Sequence, residues 1–338
     1  MTTAVVRALD AAARAAAHAR LPDATASCPG CGAAPQVLAD RDDGVVVRHG
    51  AAVAKAHAPD TDPEGHRVRI AVAAHPLLHG ILLPPLPPLP PPPSGSPGSP
   101  GSSADAGGRP VTAWPYGTPV DPEAPDAAPW EEAAALLARL HRVDPAALPG
   151  PLPPMRGPAK AARAVRRMRA VAADHPGAAP VEAAWAGLPA WARGEAPAPR
   201  GGLLCHGDLH LGQLVRHPVP GGPWLLIDGD DLGLGDPAWD LARPAAWYAA
   251  GLLPPVVWQR FLDAYRGARG PAVGRGPGDD PWRWLDVPAR ALTVQTAALA
   301  LVRAVAEARE PDETDRAVID ACDRIAILGP ELETTRPA

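Results

Sequence analysis

The sequence predicts an α+β protein of two lobes, a small antiparallel sheet with one helix followed by a larger, mainly helical part. Three observations carry this prediction. Short β-prone runs separated by the turn dipeptides Asp43-Gly44 and His49-Gly50 occupy residues 36–57. From Ala128 onward, apolar residues recur mostly at helical spacing. A single stretch of that second half, Leu203 to Ala242, returns to strand character and collects six Asp among its apolar runs. A net charge of −5 argues against a nucleic-acid binder that relies on counterion release.

The first 35 residues read as an amphipathic helix, which ends before Pro22, and a Cys-containing loop. Arg7, Asp10, Arg14 and Arg20 interrupt the helix, so it lacks the apolar run of a signal peptide. Cys28-Pro-Gly-Cys31 has the spacing of half a zinc site. With no second C-x-x-C in the chain, it reads as a turn with two spectator thiols. Four Cys in 338 residues fit a reducing compartment and a cytoplasmic protein.

An N-terminal lobe is expected over residues 36–112. Its strands fall near 36–40, 44–49 and 51–57. A helix follows, with Asp62 as N-cap and Pro63 in the first helical position. Residues 84–108 turn abruptly Pro-rich, then Gly/Ser-rich; they have little to bury and read as a disordered insert. The insert is not read as a protein-docking element.

The C-terminal lobe spans 113–338, starting with strand and turn up to Val120. Helices are expected near 128–144, 157–174, 180–195, 237–250, 255–267, 283–309 and 312–327. Within Ala289–Ala308, Arg290, Gln295, Arg303 and Glu307 mark a buried core helix rather than a membrane span.

The acidic stretch carries the chemistry. "GLLC" and "QLVR" flank "HGDLHLG", and "PWLLID" follows after a Gly-Gly-Pro turn. The expected arrangement is a hairpin-like pair with Asp208 and Asp228 at adjacent strand ends. With Gln213 they form a small set of oxygen ligands, which suits Mg²⁺. His206 and His210 could ligate metal, but no later His beyond His217 completes a binuclear site; His206 is read as bracing its loop. Asp230 and Asp231 read as solvated turn residues, and Asp236 as the cap of the following helix.

These residues resemble the aminoglycoside phosphotransferase and small-molecule kinase family, which has a protein-kinase-like fold. "HGDLHLGQ" followed by "LLIDGDDLGLGDPAWDLA" is similar to that family's catalytic and metal-binding segments, and Gln in the last loop position is similar to maltokinase-type members. The resemblance is specific over residues 206–242, and the order of elements fits over about 36–330. It implies an ATP- and Mg²⁺-dependent kinase, with ATP between the lobes and a hydroxyl of a small molecule as acceptor. Asp208 would be the catalytic base, and Gln213 and Asp228 would hold Mg²⁺. Asp240 would brace the loop or the substrate side. Gln213 stands where the family has Asn, in a chain without any Asn.

Kinases of this type place a Lys on the third strand against the nucleotide phosphates. Lys55 falls on the third expected strand and is one of only two Lys, with Lys160, among 32 basic residues. Glu64 is either its ion-pair partner or a first-turn acid favoured by the helix dipole. The loop at 39–44 holds one Gly and lacks a Gly-rich phosphate motif. Asp263, Asp279, Asp280 and Asp286 could meet a cationic acceptor. Sugar-, amino-alcohol- and aminoglycoside-like acceptors are all compatible with the sequence. A catalytically weak nucleotide-binding scaffold or sensor is the alternative reading. Neither nucleic acid nor membrane is expected as a partner.

Overall fold

The computed structural model describes residues 3–21, 27–41, 44–88, 106–199, 201–274, 276 and 278–328. Its N-terminal elements are α1 (Thr3–His18), β1 (Gln36–Arg41), β2 (Gly44–His49), β3 (Ala52–His57), α2 (Pro63–Ala73), β4 (Val111–Pro115) and β5 (Thr118–Pro119). Helices α3 (Trp130–Leu140), α4 (Gly157–Val171) and α5 (Ala178–Ala186) lead to the acidic stretch. That stretch contains β6 (Leu203–Cys205), β7 (Leu214–Arg216), β8 (Trp224–Leu226) and β9 (Gly233–Gly235). Helices α6 (Ala238–Ala249), α7 (Pro255–Gly267), α8 (Trp282–Ala306) and α9 (Glu313–Ile327) complete the chain.

The chain divides into two compact units. The first comprises Met1–Pro119 with Val215–Ile227, and the second Val120–Leu214 with Asp228–Ala338. In the first unit, β1 to β4 form an antiparallel sheet in sequential order. Alternation along the strands splits their residues between two faces. Val45, Val47, Ala54 and Ala56 are buried with Leu9 and Ala13 of α1. The sheet therefore carries α1, and residues 1–35 are not a separate appendage. Lys55 pairs with Val46 and Thr112 across the sheet, out of phase with that buried set.

Asp62 accepts the backbone N–H groups of Glu64 and Gly65, and Pro63 takes the first position of α2. The three strand bounds agree with the sequence reading to within a residue.

Residues 215–227, read from sequence as part of the C-terminal lobe, belong to the first unit. β7 lies between β5 and β8, and Leu83 N–H donates to the Leu226 carbonyl at 2.8 Å. Leu83, Val215 and Leu225 bury one another. Within the expected disordered insert, Leu86 N–H bonds the Ala113 carbonyl at 2.8 Å and Ala106 is buried. Both ends of the insert are thus anchored by backbone pairing and burial. Residues 89–105, most of the insert, lie outside the described residues, as do Asp42 and Asp43 of the loop before β2.

The second unit is built on α8. Its 25 residues are long and apolar enough to cross a membrane by length and composition. They pack instead against α4, α5, α6 and α9, and Leu285, Ala291, Val294, Ala297, Ala298 and Leu301 are fully covered. α9 opens with a capping box between Asp312 and Asp315.

Leu9 is fully buried between α1 and the sheet. Leu9→Ala is expected to lower stability by about 2–5 kcal/mol, measured by denaturant unfolding. An unchanged midpoint would contradict the docking of α1.

Candidate functional site

The strands that carry the two acids lie in different sheets. β6, which leads to Asp208, pairs antiparallel with β9. β8, which leads to Asp228, lies beside β7. The expected hairpin linking Asp208 to Asp228 is corrected accordingly: the hairpin is β7–β8, closed by His217 N–H on the Pro223 carbonyl at 3.1 Å. Gln213 directly precedes β7, and Asp228 follows β8 after one residue, so both stand at the hairpin's open end. There Gln213 Nε2 donates to Asp228 Oδ2 at 3.4 Å. Asp228 adopts a left-handed backbone, φ 64°. Such a conformation is unusual outside Gly and favours Asn and Asp.

Asp208 lies in the loop between β6 and β7. Two residues before it, the chain is gripped by Asp240 of α6. His206 N–H donates to Asp240 Oδ2 at 2.6 Å, and Gly207 N–H to Oδ1 at 2.7 Å. Gly207 has φ 85°, and a Cβ there would collide with the Asp231 carbonyl. Glycine is therefore required twice over at this position.

One turn along α6, Arg243 faces the same loop. Its Nε donates to the Leu209 carbonyl at 3.1 Å and its Nη2 to Asp208 Oδ1 at 2.9 Å. Further on, His210 Nδ1 accepts Gly212 N–H at 3.0 Å and so caps the short 3-10 turn Leu211–Gln213.

Asp240 is wholly buried. Burial pushes its carboxyl up, but the His141 hydrogen bond, nearby imidazoles and the Gly207 amide hold it below the ordinary range. His141 Nε2 donates to Asp240 Oδ2 at 2.9 Å, and His141 Nδ1 lies 2.7 Å from the Tyr265 hydroxyl. Ala272 N–H donates to that hydroxyl at 3.0 Å. Burial raises the Tyr265 phenol well above its ordinary value, so it keeps its proton. Ala272 thus donates to Tyr265 and His141 to Asp240, with the Tyr265 hydroxyl against the second ring nitrogen of His141.

The surroundings of Asp208 are cationic. Lys160 Nζ lies 2.6 Å from Asp208 Oδ2 and 2.7 Å from Asp231 Oδ2. Arg156 Nε lies 2.9 Å from Asp231 Oδ1. Burial pushes the Asp208 carboxyl up, but Lys160 and Arg243 outweigh it and bring it down to about 2. Lys160 itself is moved up, since Asp231 and Asp208 together overcome its desolvation. A cation in the first turn of α4 runs against the helix dipole; these two carboxylates account for it.

Asp231 is buried and ion-paired, so it is not the solvated turn residue the sequence suggested. The carboxylates raised as cation binders are otherwise engaged. Asp286 pairs with Arg290, Asp280 caps Trp282, Asp279 caps Gly276, and Asp263 accepts from Gln259.

The structure thus brings His206, Asp208, Gln213, Asp228 and Asp240 into one loop system of the second unit. Lys55 lies on β3 of the first unit, with its Cε 3.4 Å from where a Cβ on Gly44 would stand. It therefore reaches toward the β1–β2 turn. Glu64 is exposed in the first turn of α2, a position the helix dipole favours without any ion pair. Lys160 and Arg243 were missed by the sequence reading. The rarity that singled out Lys55 applies equally to Lys160, and Arg243 sits one helical turn from Asp240.

His210 is brought down from its ordinary 6.5 to about 4, mainly by burial and by the Arg243 charge, against the pull of Asp208. As pH falls, the unfolded chain takes up this proton first. The stability that the neutral ring contributes is therefore complete above pH 6.5 and lost as pH falls toward 4. NMR titration is expected to find this imidazole neutral down to about pH 4. A midpoint near 6.5 would contradict its capping role.

Among curated proteins none matches the sequence. The structure is similar to that of a choline/ethanolamine kinase family protein from Mesorhizobium loti, at 16% identity and TM-score 0.52, covering 95% of this chain and 96% of that one. It is also similar to a thermostable mutant of aminoglycoside phosphotransferase APH(4)-Ia, at 16% identity and TM-score 0.54, covering 88% and 94%. A related structure of that enzyme, a ternary complex with AMP-PNP and hygromycin B, aligns at 14% identity and TM-score 0.52, covering 87% and 93%. These similarities show a protein-kinase-like fold. The model of the phosphotransferase enzyme family matches residues 99–285, more than half of the sequence and all of the loop system around Asp208, and the chain belongs to that family.

Proposed function

We propose that the chain is an ATP- and Mg²⁺-dependent phosphotransferase that moves the γ-phosphate onto a hydroxyl of a small molecule. The observation that carries this reading is the state of Asp208: an ionised carboxylate, fixed between Lys160 and Arg243, in the loop that also delivers Gln213 to Asp228.

Phosphoryl transfer needs an oriented nucleophile and neutralised charge more than it needs a strong base. A carboxyl near 2 abstracts protons poorly but stays ionised at any physiological pH. Asp208 would accept a hydrogen bond from the incoming hydroxyl and hold it in line, taking the proton as the phosphoryl arrives. Lys160 and Arg243 keep that carboxylate in place and supply positive charge where the transferring group becomes more anionic.

Asp228 and Gln213 form an oxygen donor pair of the type Mg²⁺ accepts, with Gln213 Oε1 left to ligate once Nε2 faces Asp228. The metal, when bound, would neutralise β- and γ-phosphate oxygens. Lys55 would hold the nucleotide phosphates, and Asp240 and His206 would keep the catalytic loop in shape.

Arg156, Lys160 and Arg243 outnumber the carboxylates Asp208 and Asp231 that they pair with. Asp228 and Asp240 of the same loop system offset that excess, so the charges do not choose among sugar-, amino-alcohol- and aminoglycoside-like acceptors. ATP as donor, together with free Cys205 and Cys322, fits a cytoplasmic site. The scaffold alternative would predict nucleotide binding without turnover.

Phosphate transfer from ATP should be screened across sugars, amino alcohols and aminoglycosides, with transfer to a hydroxyl of one of these classes expected. Asp208→Asn is expected to lower kcat by about 10²–10⁴-fold while AMP-PNP binding persists. Asp228→Ala is expected to weaken binding of the magnesium nucleotide, and Lys55→Ala to raise the KM for ATP. Undiminished turnover in Asp208→Asn would contradict the assignment.

A further inference from the structure

A second cluster of ligating side chains lies in the first unit. α1 ends on His18 and β2 ends on His49, and between them in sequence stands Cys28-Pro-Gly-Cys31. Ligand atoms of His18, Cys28, Cys31 and His49 all lie within 4.8 Å of one another. His18 Nε2 is 3.0 Å from Cys31 Sγ, and His49 Nε2 is 3.7 Å from the same sulfur. Tetrahedral zinc with ordinary Zn–S and Zn–N bonds spaces its ligand atoms about 3.3–3.8 Å apart. Two imidazole nitrogens from separate elements thus converge on the Cys31 sulfur, with the second thiol beside them.

We propose that these four residues form a structural Cys2His2 zinc site. The turn that makes it is local: Cys31 N–H donates to the Cys28 carbonyl at 3.0 Å, which brings the two thiols to one side. Gly30 lies directly against the β2–β3 turn, where a Cβ would collide with Gly50 N and the His49 ring. His49 Nδ1 lies 3.1 Å from Asp10 Oδ1 of α1. That carboxylate fixes the tautomer that leaves Nε2 free for a metal, an arrangement typical of zinc-bound histidine. With four protein ligands the site is closed, so its role is to tie α1 and the loop before β1 to the sheet, not to activate water.

Full-length protein, produced with zinc in the medium and freed of loose metal, is expected to hold one zinc per chain by elemental analysis. Released zinc, counted with a colorimetric chelator, should match the thiols newly titratable at Cys28 and Cys31. Cobalt substitution should give the intense visible bands of tetrahedral thiolate coordination. Cys31→Ser and His18→Ala should each lose the metal. Asp10→Asn, acting through His49, should weaken zinc affinity about 10–100-fold in chelator competition. Because the wild-type metal content and cobalt spectrum require no variant, a misfolded mutant leaves the test intact. A chain free of zinc with Cys28 and Cys31 joined as a disulfide, or zinc retained equally in Cys31→Ser and His18→Ala, would overturn the proposal.

Discussion

The buried carboxylate of Asp240 is the constraint on which the rest of the site depends. It accepts three hydrogen bonds: two from consecutive amides at His206 and Gly207, and one from His141. A buried carboxylate with fewer partners would be costly. Here two of the partners are loop amides, so the hydrogen bonds that offset the acid's desolvation also order the turn before Asp208. The relay through His141 and Tyr265 to Ala272 extends this constraint to α3 and the segment after α7. Removing any member leaves a polar group unpaired in a closed interior.

From that anchor the geometry propagates outward. Arg243, one helical turn after Asp240, fixes the Leu209 carbonyl and one oxygen of Asp208. Lys160 takes the other oxygen and joins it to Asp231. Asp208 is thus oriented by two cations attached to two different helices, α6 and α4. In the function proposed above, the same cations that lower its proton affinity would supply the field in which a phosphoryl group moves. Position and charge come from one set of contacts, which suits a reaction governed by electrostatics.

Much of this was legible in the sequence. Strand propensity and turn dipeptides located β1 to β3, capping residues located α2, and the spacing of acids and Gln213 marked the loop. What stayed hidden was non-local. Asp208 and Asp228 were placed on one hairpin because 203–228 reads as consecutive strands. Their partition between sheets depends on β6 pairing with β9, some thirty residues later. Lys160 lies on a helix about fifty residues before Asp208, and no local pattern connects the two. His18 and His49 likewise flank the Cys28–Cys31 turn from a helix end and a strand end, so the C-x-x-C spacing alone looked incomplete. Asp231 was misjudged because its exposure is decided by Arg156 and Lys160, not by its own turn.

Asp240 holds the loop that carries Asp208 through both carboxylate oxygens. Amide hydrogen exchange at His206 and Gly207, compared between the wild type and Asp240→Asn, tests it most directly. Asn matches the shape but can accept at only one end. Loss of one such bond predicts exchange about tenfold faster or more at one of these two amides at least, with protection in α8 retained. Unchanged protection at both amides in the variant would contradict it.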